Sequence, residues 1–223
     1  PIDQSDALMS VIAPLYDINP GTIYLSPAPL YHSAPLRFTM RVNYLGGTNI
    51  IMENFDAELS LSFIEKYKVN MSQWVPTMFV RMFKLPDSIR KKYDLSTHKC
   101  AIHAAAPCPI EIKQMMIGWW GNIINEFYAG SEGNGFFACN SEEWLSHIGT
   151  VGKPIFGIPH ICNEEGNELP VGSEGTIWFE SDVEFTYHND IKKTLEAKHP
   201  HHPKWTTLGD IGKLDKDNFL YLT

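Results

Sequence analysis

The stretch "GNIINEFYAGSEGNG", residues 121–135, begins as a strand and ends as a loop of small residues around one carboxylate, Glu132. Glycine is used where a backbone takes unusual angles or comes close to a ligand. An aromatic ring, Tyr128, stands just ahead of the acid. What surrounds this stretch decides whether the loop lies at the end of a parallel sheet.

Upstream, "SDALMSVIAPLY" (5–16) carries a cap residue, Ser5, and helical spacing at Leu8, Ile12 and Leu15. "GTIYLS" (21–26) reads as a buried strand, broken by "PAPLYHSAPL", and "GGTNIIM" (46–52) as a second strand opened by glycines. "NFDAELSLSFIEKYK" (54–68) places Leu59, Phe63 and Tyr67 on one face of an amphipathic helix. "VNMSQWV" is a strand stopping at Pro76, "TMFVRMFK" and "DSIRKKYD" are short helices, and "KCAIHAAAP" is a strand running into a loop. Pro109 suits the first turn of the helix "PIEIKQMMIGWW". Strands alternate with helices to about Asn140, which predicts an α/β fold of layered, largely parallel sheets. In such sheets ligands bind beyond the carboxyl ends of strands. The informative loops are then "PAPLYHSAP", "VPTMF", "AAAPCP" and "YAGSEG".

Near Gly149 the texture turns β-rich. "HICNEEGNELPVGSEGTIWFESD" and "TLGDIGKLDKDNFLYLT" both read as hairpins, the second turning at Asp215 to Asn218. The sequence thus divides into an α/β nucleotide- and acyl-binding part, 1–148, and a β-rich subdomain, 149–223.

The 223 residues are 43% hydrophobic and 20% charged, an ordinary globular composition. A formal net charge of -8 argues against nucleic acid as the main partner. No apolar run reaches the roughly 18 residues of a membrane-crossing helix. Cys100, Cys108, Cys139 and Cys162 form no C-x-x-C pair, and buried or free thiols in a reducing, cytoplasmic setting are expected. The Met and Trp stripe at Met115, Met116, Trp119 and Trp120 is at helical spacing and reads as packing. His199, His201 and His202 lack an acid or thiol partner in sequence, so adventitious metal affinity outranks a functional site.

Glycine-rich turns after strands can present backbone N–H groups to phosphate oxygens. A carboxylate among phosphates needs a cation between them, which makes Glu132 a reasonable Mg²⁺ ligand. On these residues alone, a nucleotide site and a plain surface loop both stay open.

The loops taken in order narrow this. "PLYHSAP", "WVPTMF", "AAAPCP", "NEFYAGSEG", "HIGTVGKP", "GNELPVGSEGTIWF" and "TLGDIGKLDKDNFLYLT" together resemble the adenylate-forming superfamily of acyl-CoA synthetases, luciferases and adenylation domains, from about Ile23 onward. The resemblance implies that Ser131 holds ATP phosphates, Glu132 binds Mg²⁺ and Tyr128 stacks on adenine. Flanking Glu126, Phe127, Ala129 and Gly130 belong to the same nucleotide-binding motif. It places the backbone of Ala105, Ala106 and Pro107 at the base and Asp210 on both ribose hydroxyls. His32 falls near the substrate carboxylate and α-phosphate, and Trp74 and Gly130 beside the acyl group. ATP, Mg²⁺ and coenzyme A are the implied cofactors, and a small carboxylic acid the implied substrate.

Tyr31, His32 and Ser33 offer no carboxylate to an ammonium group, so amino-acid substrates are disfavoured. "EFTYHND" stands where the family commonly has Arg-Gly-Tyr, a variant associated with fatty-, aryl- or bile-acid-like ligases. The family's phosphate loop is expected upstream of Pro1, and a hinge with a small lysine-bearing domain beyond "LYLT". On the resemblance the chain is a fragment of a large N-terminal domain and does not turn over alone; a homo-oligomeric parent is compatible with it. The competing reading is a non-catalytic nucleotide- or acyl-binding module on the same fold.

Overall fold

The computed structural model describes residues 7–223, so the expected cap at Ser5 lies outside the described residues. Two compact units result, Pro1–Glu126 and Phe127–Thr223.

The first unit alternates as the sequence predicts, with α2 added: α1 (Ala7–Leu15), β1 (Ile23–Ser26), α2 (Ser33–Tyr44), β2 (Thr48–Ile51), α3 (Ala57–Tyr67), β3 (Met71–Trp74), α4 (Pro76–Phe83), α5 (Asp87–Arg90), β4 (Cys100–His103), α6 (Ile110–Trp120) and the start of β5 (Ile124–Ala129). The strands lie in the order β2-β1-β3-β4-β5, with every pairing parallel. Parallel neighbours need a crossover, usually helical, and the intervening helices supply it. All carboxyl ends in this unit consequently share one edge of the sheet.

Central β3 and β4 are buried along most of their length yet carry polar residues. Burial without partners would be costly. Tyr24 donates to Gln73 at 3.1 Å, and Trp74 Nε1 donates to Ser72 Oγ at 2.6 Å. Ser72 Oγ also meets His98 Nε2 at 2.6 Å. Burial lowers the His98 pKa to about 3, so this ring is neutral.

Helix α3 forms where expected, capped by Asp56, which accepts from the Leu59 amide at 2.7 Å. Its buried face is a correction. Ala57, Ser60, Leu61 and Ile64 face inward, while Leu59 and Tyr67 are exposed. Two stripes compete on this helix, and the one with small residues lets the helix backbone come closer to what it packs on. A similar limit applies to α6. Met116 is fully buried but Met115 is 48% exposed, because adjacent helical residues point about 100° apart. Helix α2 was not read from the sequence. It buries Pro35, Phe38, Thr39 and Val42, an i, i+3, i+4, i+7 pattern that the proline-rich entry obscures.

In the second unit the sheet continues β5-β6-β7, with β6 (Phe136–Cys139) antiparallel to β7 (Lys153–Phe156). Between them α7 (Ser141–Ser146) starts on a capping box formed by Asn140 and Glu143. A separate antiparallel sheet has the order β11-β10-β9-β8, built from β8 (Ile158–Cys162), β9 (Gly175–Glu180), β10 (Trp205–Leu214) and β11 (Leu220–Leu222). Helix α8 (Ile191–Glu196) lies between β9 and β10 in sequence. Both hairpins read from the sequence are present as antiparallel pairs. Phe137, Val151, Ile161, Ile177, Phe179 and Leu220 form one buried cluster. Phe137 belongs to it, which is why the compact division falls at 126/127 while the change in sequence texture falls near 149.

No helix among the described residues is long and apolar enough to cross a membrane. No disulfide joins the four cysteines among the described residues, and Cys139 and Cys162 are buried.

Gly152 is a sharp test of the second unit. Its φ is +108°, and an added Cβ would lie 2.1 Å from the Ala138 carbonyl carbon and oxygen. Strain and overpacking act together, so Gly152→Ala should cost roughly 2–6 kcal/mol. Urea unfolding measures it; a loss under about 1 kcal/mol would mean that the β6–β7 pair adapts freely.

Candidate active site

In the second unit, β5 ends at Ala129 and the chain enters the loop from Gly130 to Gly133. Phe127 anchors the strand end by stacking on Phe136, with centroids 5.1 Å apart. The Tyr128 ring is half-buried, 6.2 Å from Phe137 and 6.3 Å from Phe179. Its hydroxyl donates to Asp210 Oδ2 at 2.6 Å. Burial first, then the bond and charge of Asp210 and the charge of Glu132, raise the Tyr128 pKa. The group therefore stays a donor at ordinary pH.

Asp210 sits within β10, where the register against β9 shifts between Thr207 and Ile211. A β-bulge frees residues from the ladder and re-aims a side chain. Gly209 takes φ +87°, its amide donates to Thr207 Oγ1 at 3.0 Å, and Thr207 Oγ1 in turn donates to the Ile177 carbonyl at 2.7 Å. The irregularity is thus held from within, and Asp210 stands exposed beside the Tyr128 hydroxyl. Eighty-two residues of sequence separate the two.

Gly130 leaves room for two side-chain ends. A Cβ there would lie 2.6 Å from Glu132 Oε2 and 2.6 Å from a Leu208 methyl carbon. Glu132 is half-buried, and its Oε1 accepts from the Tyr187 hydroxyl at 2.7 Å. Ser131 is exposed on the same loop. Tyr187 was not singled out from the sequence; only its place in the unusual "EFTYHND" segment marked it.

The sites in the first unit are separate observations. Ala105, Ala106 and Pro107 lie exposed in the loop beyond β4. Ala105 holds φ +74°, a conformation that favours glycine and costs a side chain about 1–3 kcal/mol. His32 is the exposed N-cap residue of α2, without a side-chain capping bond, its ring 4.4 Å from that of Tyr31. Trp74 is 1% exposed and lies edge-on to Trp120 at 5.5 Å, a core position. Glu126 is also buried, and its carboxylate is ion-paired with the buried Lys113, with His103 Nε2 at 3.6 Å. Burial raises the Glu126 pKa, and the attraction of Lys113 opposes this.

His199 uses both ring nitrogens internally. Nε2 bonds the Gly166 carbonyl at 3.0 Å, and Nδ1 accepts from the His201 and His202 amides at 3.2 Å each. His202 stacks on Trp205 at 4.0 Å. The histidine run therefore shapes a loop.

Among the described residues no group of three or more His, Cys, Asp or Glu could hold a metal by itself. Mg²⁺ usually takes one or two carboxylates and completes its shell with water and substrate phosphates. Glu132 fits this role. It is half-buried, and one hydrogen bond leaves acceptor capacity on its two oxygens.

The profile of the AMP-binding enzyme family matches residues 4–185. The 4-coumarate–CoA ligase-like 8 of Arabidopsis thaliana is 25% identical over 91% of the chain, and the long-chain-fatty-acid–CoA ligase of Bacillus subtilis 27% over 93%. The chain spans 37% of the length of each. The amide bond synthetase McbA from Marinactinospora thermotolerans matches at a TM-score of 0.87 over 97% of the chain and 44% of its own, with 22% identity, a likeness of fold. A parallel sheet ending in a glycine loop, a carboxylate lifted from a bulged strand, and a match over most of the chain converge: this chain belongs to the AMP-binding enzyme family.

Proposed function

We propose that the protein carrying this chain activates a carboxylic acid with ATP and passes the acyl group to coenzyme A. A carboxylate oxygen attacks the α-phosphorus, the bond to the β-phosphate oxygen breaks, and acyl-adenylate and pyrophosphate form. The thiol of coenzyme A then attacks the acyl carbon, and AMP leaves with the electron pair. The observation that carries this reading is the meeting of Tyr128 and Asp210 beside the loop that bears Glu132. Asp210 offers acceptors to a vicinal diol, which supplies two donors. The Tyr128 ring would stack on the base, and Ser131 would donate to a phosphate oxygen. The exposed backbone of Ala105, Ala106 and Pro107 would face the base edge, and His32 the reacting carboxylate. The flanking Phe127, Ala129 and Gly130 shape the motif around Tyr128, and Gly130 also borders the acyl group. The buried Glu126 supports the motif through Lys113. Trp74 would contribute as the packed wall behind the acyl site. Mg²⁺, when bound at Glu132, would offset the negative charge of the phosphates.

Coenzyme A is proposed from the names of the relatives. An aromatic or fatty acid is favoured over an amino acid, since nothing in "PLYHSAP" would pair an ammonium. The test is acid-dependent exchange of labelled pyrophosphate into ATP by the parent protein, across fatty, hydroxycinnamic and amino acids. Exchange with a fatty or hydroxycinnamic acid is expected. Failure of every acid, with ATP still bound, would leave the non-catalytic reading. In the same assay Glu132→Gln should lower exchange roughly ten- to a hundredfold and raise the Mg²⁺ needed for half-maximal rate. An unchanged Mg²⁺ titration would make Glu132 an ordinary loop residue.

A further inference from the structure

Tyr187 lies two residues beyond the segment matched by the family profile. Its hydroxyl is 2.7 Å from Glu132 Oε1, across 55 residues of sequence. The other oxygen, Oε2, packs against Gly130, so closely that a Cβ there would lie 2.6 Å away. The carboxylate is thus bounded on both sides, one by a donor and one by backbone. A glutamate has three side-chain torsions, and without such restraint it would sample several rotamers.

The tyrosine is itself held. Its amide donates to Thr194 Oγ1 at 2.9 Å, and that hydroxyl donates onward to the Asp190 carbonyl at 2.8 Å. Thr194 is buried, and Asp190 caps α8 by accepting from the Lys193 amide at 2.9 Å. The Lys193 ammonium lies over the Tyr187 ring at 4.1 Å, and Phe185 meets the ring edge-on at 5.5 Å. A short helix, its cap and one buried threonine therefore fix the point from which the hydroxyl reaches Glu132.

We propose that Tyr187 is a positioning residue for Glu132, holding one carboxylate oxygen so that the group stays oriented for a divalent cation. This rests on the reading of Glu132 as the Mg²⁺ ligand. The ordering of the carboxylate is done before the cation arrives, so the cation binds without having to immobilise it.

The test uses Mn²⁺ as the probe, read by its electron paramagnetic resonance signal in the parent protein with a non-hydrolysable ATP analogue. Tyr187→Phe removes only the hydroxyl and keeps the ring on Lys193 and the amide on Thr194. We expect about a three- to tenfold weaker Mn²⁺ affinity, the net worth of an ordinary intramolecular hydrogen bond, because the hydroxyl orients the carboxylate and does not itself touch the cation. Nucleotide affinity in chelator and the thermal midpoint should stay unchanged, and at saturating Mg²⁺ most of the exchange rate should return. Thr194→Val, which leaves the hydroxyl but frees the Tyr187 amide, should weaken Mn²⁺ less, and it serves as the second variant if Tyr187→Phe folds poorly. Glu132→Gln separates the two readings. If it weakens Mn²⁺ while Tyr187→Phe and Thr194→Val do not, the positioning role is overturned and Glu132 stands as the ligand. If Glu132→Gln leaves Mn²⁺ binding unchanged, the ligand reading falls and this inference with it. If Glu132→Gln and the double variant Glu132→Gln with Tyr187→Phe are equally weak, and Tyr187→Phe alone is weakened, the two groups act as one unit, as proposed.

Discussion

Replacing Lys113 by Met should destabilise the first unit by about 3–5 kcal/mol, because it strands Glu126 as an unpaired buried charge. Lys113 and Glu126 are 1% and 5% exposed, and the nearest other titratable ring, His103, is fully buried. His103 is a poor replacement cation, since burial, the larger cause holding its pKa well below the usual value, persists when Lys113 is gone. The variant also carries a pH signature. With Lys113 present, burial already raises the Glu126 pKa. Without the lysine it should rise further. A carboxyl whose folded-state pKa lies above its unfolded value binds more protons when folded, so stability falls as pH rises. The deficit of Lys113→Met should therefore be small below the unfolded carboxylate pKa of about 4.3, and grow through the window up to the raised folded value. Adding Glu126→Leu should recover most of the loss, because a buried pair replaced as a whole by apolar groups is often neutral. Urea unfolding of the single and double variants between pH 4 and pH 8 checks this (pH settings chosen from the carboxylate range). A deficit independent of pH, or one that the double variant does not relieve, would mean that water or another group compensates Glu126.

Asp210→Ala should weaken ATP by up to two charge-assisted hydrogen bonds, each worth roughly 1.5–3 kcal/mol. The exposed carboxylate on the bulge of β10 has one oxygen engaged by Tyr128, and capacity for a diol remains. 2′-Deoxy-ATP should already bind poorly to the unmutated protein, and the two losses should not add, since both remove one interaction. The measurement is a cycle of ATP and 2′-deoxy-ATP against unmutated protein and Asp210→Ala. If the 2′-hydroxyl is worth as much in the variant as in the unmutated protein, Asp210 does not touch the ribose. Removing the carboxylate also frees the Tyr128 hydroxyl, so Tyr128→Phe should be run beside it; a loss shared by both variants for ATP and its deoxy form alike would assign the effect to the tyrosine.

The two predictions draw on different kinds of information. Asp210 is singled out from the sequence through the resemblance carried by "TLGDIG", where glycine beside a short acid would by itself read as a turn. The structure instead places it inside a strand, at a register shift. Turn and bulge share the same residue signals, since both need glycine beside a short polar side chain. Lys113 was not legible. It falls on α6 between apolar positions, as many solvated lysines do, and only the fold brings its ammonium to Glu126.

What the sequence by itself determined is local: most of the alternation of strands and helices, the loops that follow β1, β3, β4 and β5, the presence of α3 and the two hairpins of the β-rich part. These follow from hydrophobic period, caps and turn residues, which act over a few positions. The tertiary structure alone decided which stripe of α3 is buried, that Glu126 is enclosed, and that Tyr187 reaches Glu132 while Tyr128 reaches Asp210. Each of these depends on groups tens of residues apart, 55 for Tyr187 with Glu132 and 82 for Tyr128 with Asp210. No periodicity encodes such a distance, because it is fixed by where the sheets and bulges bring the chain back.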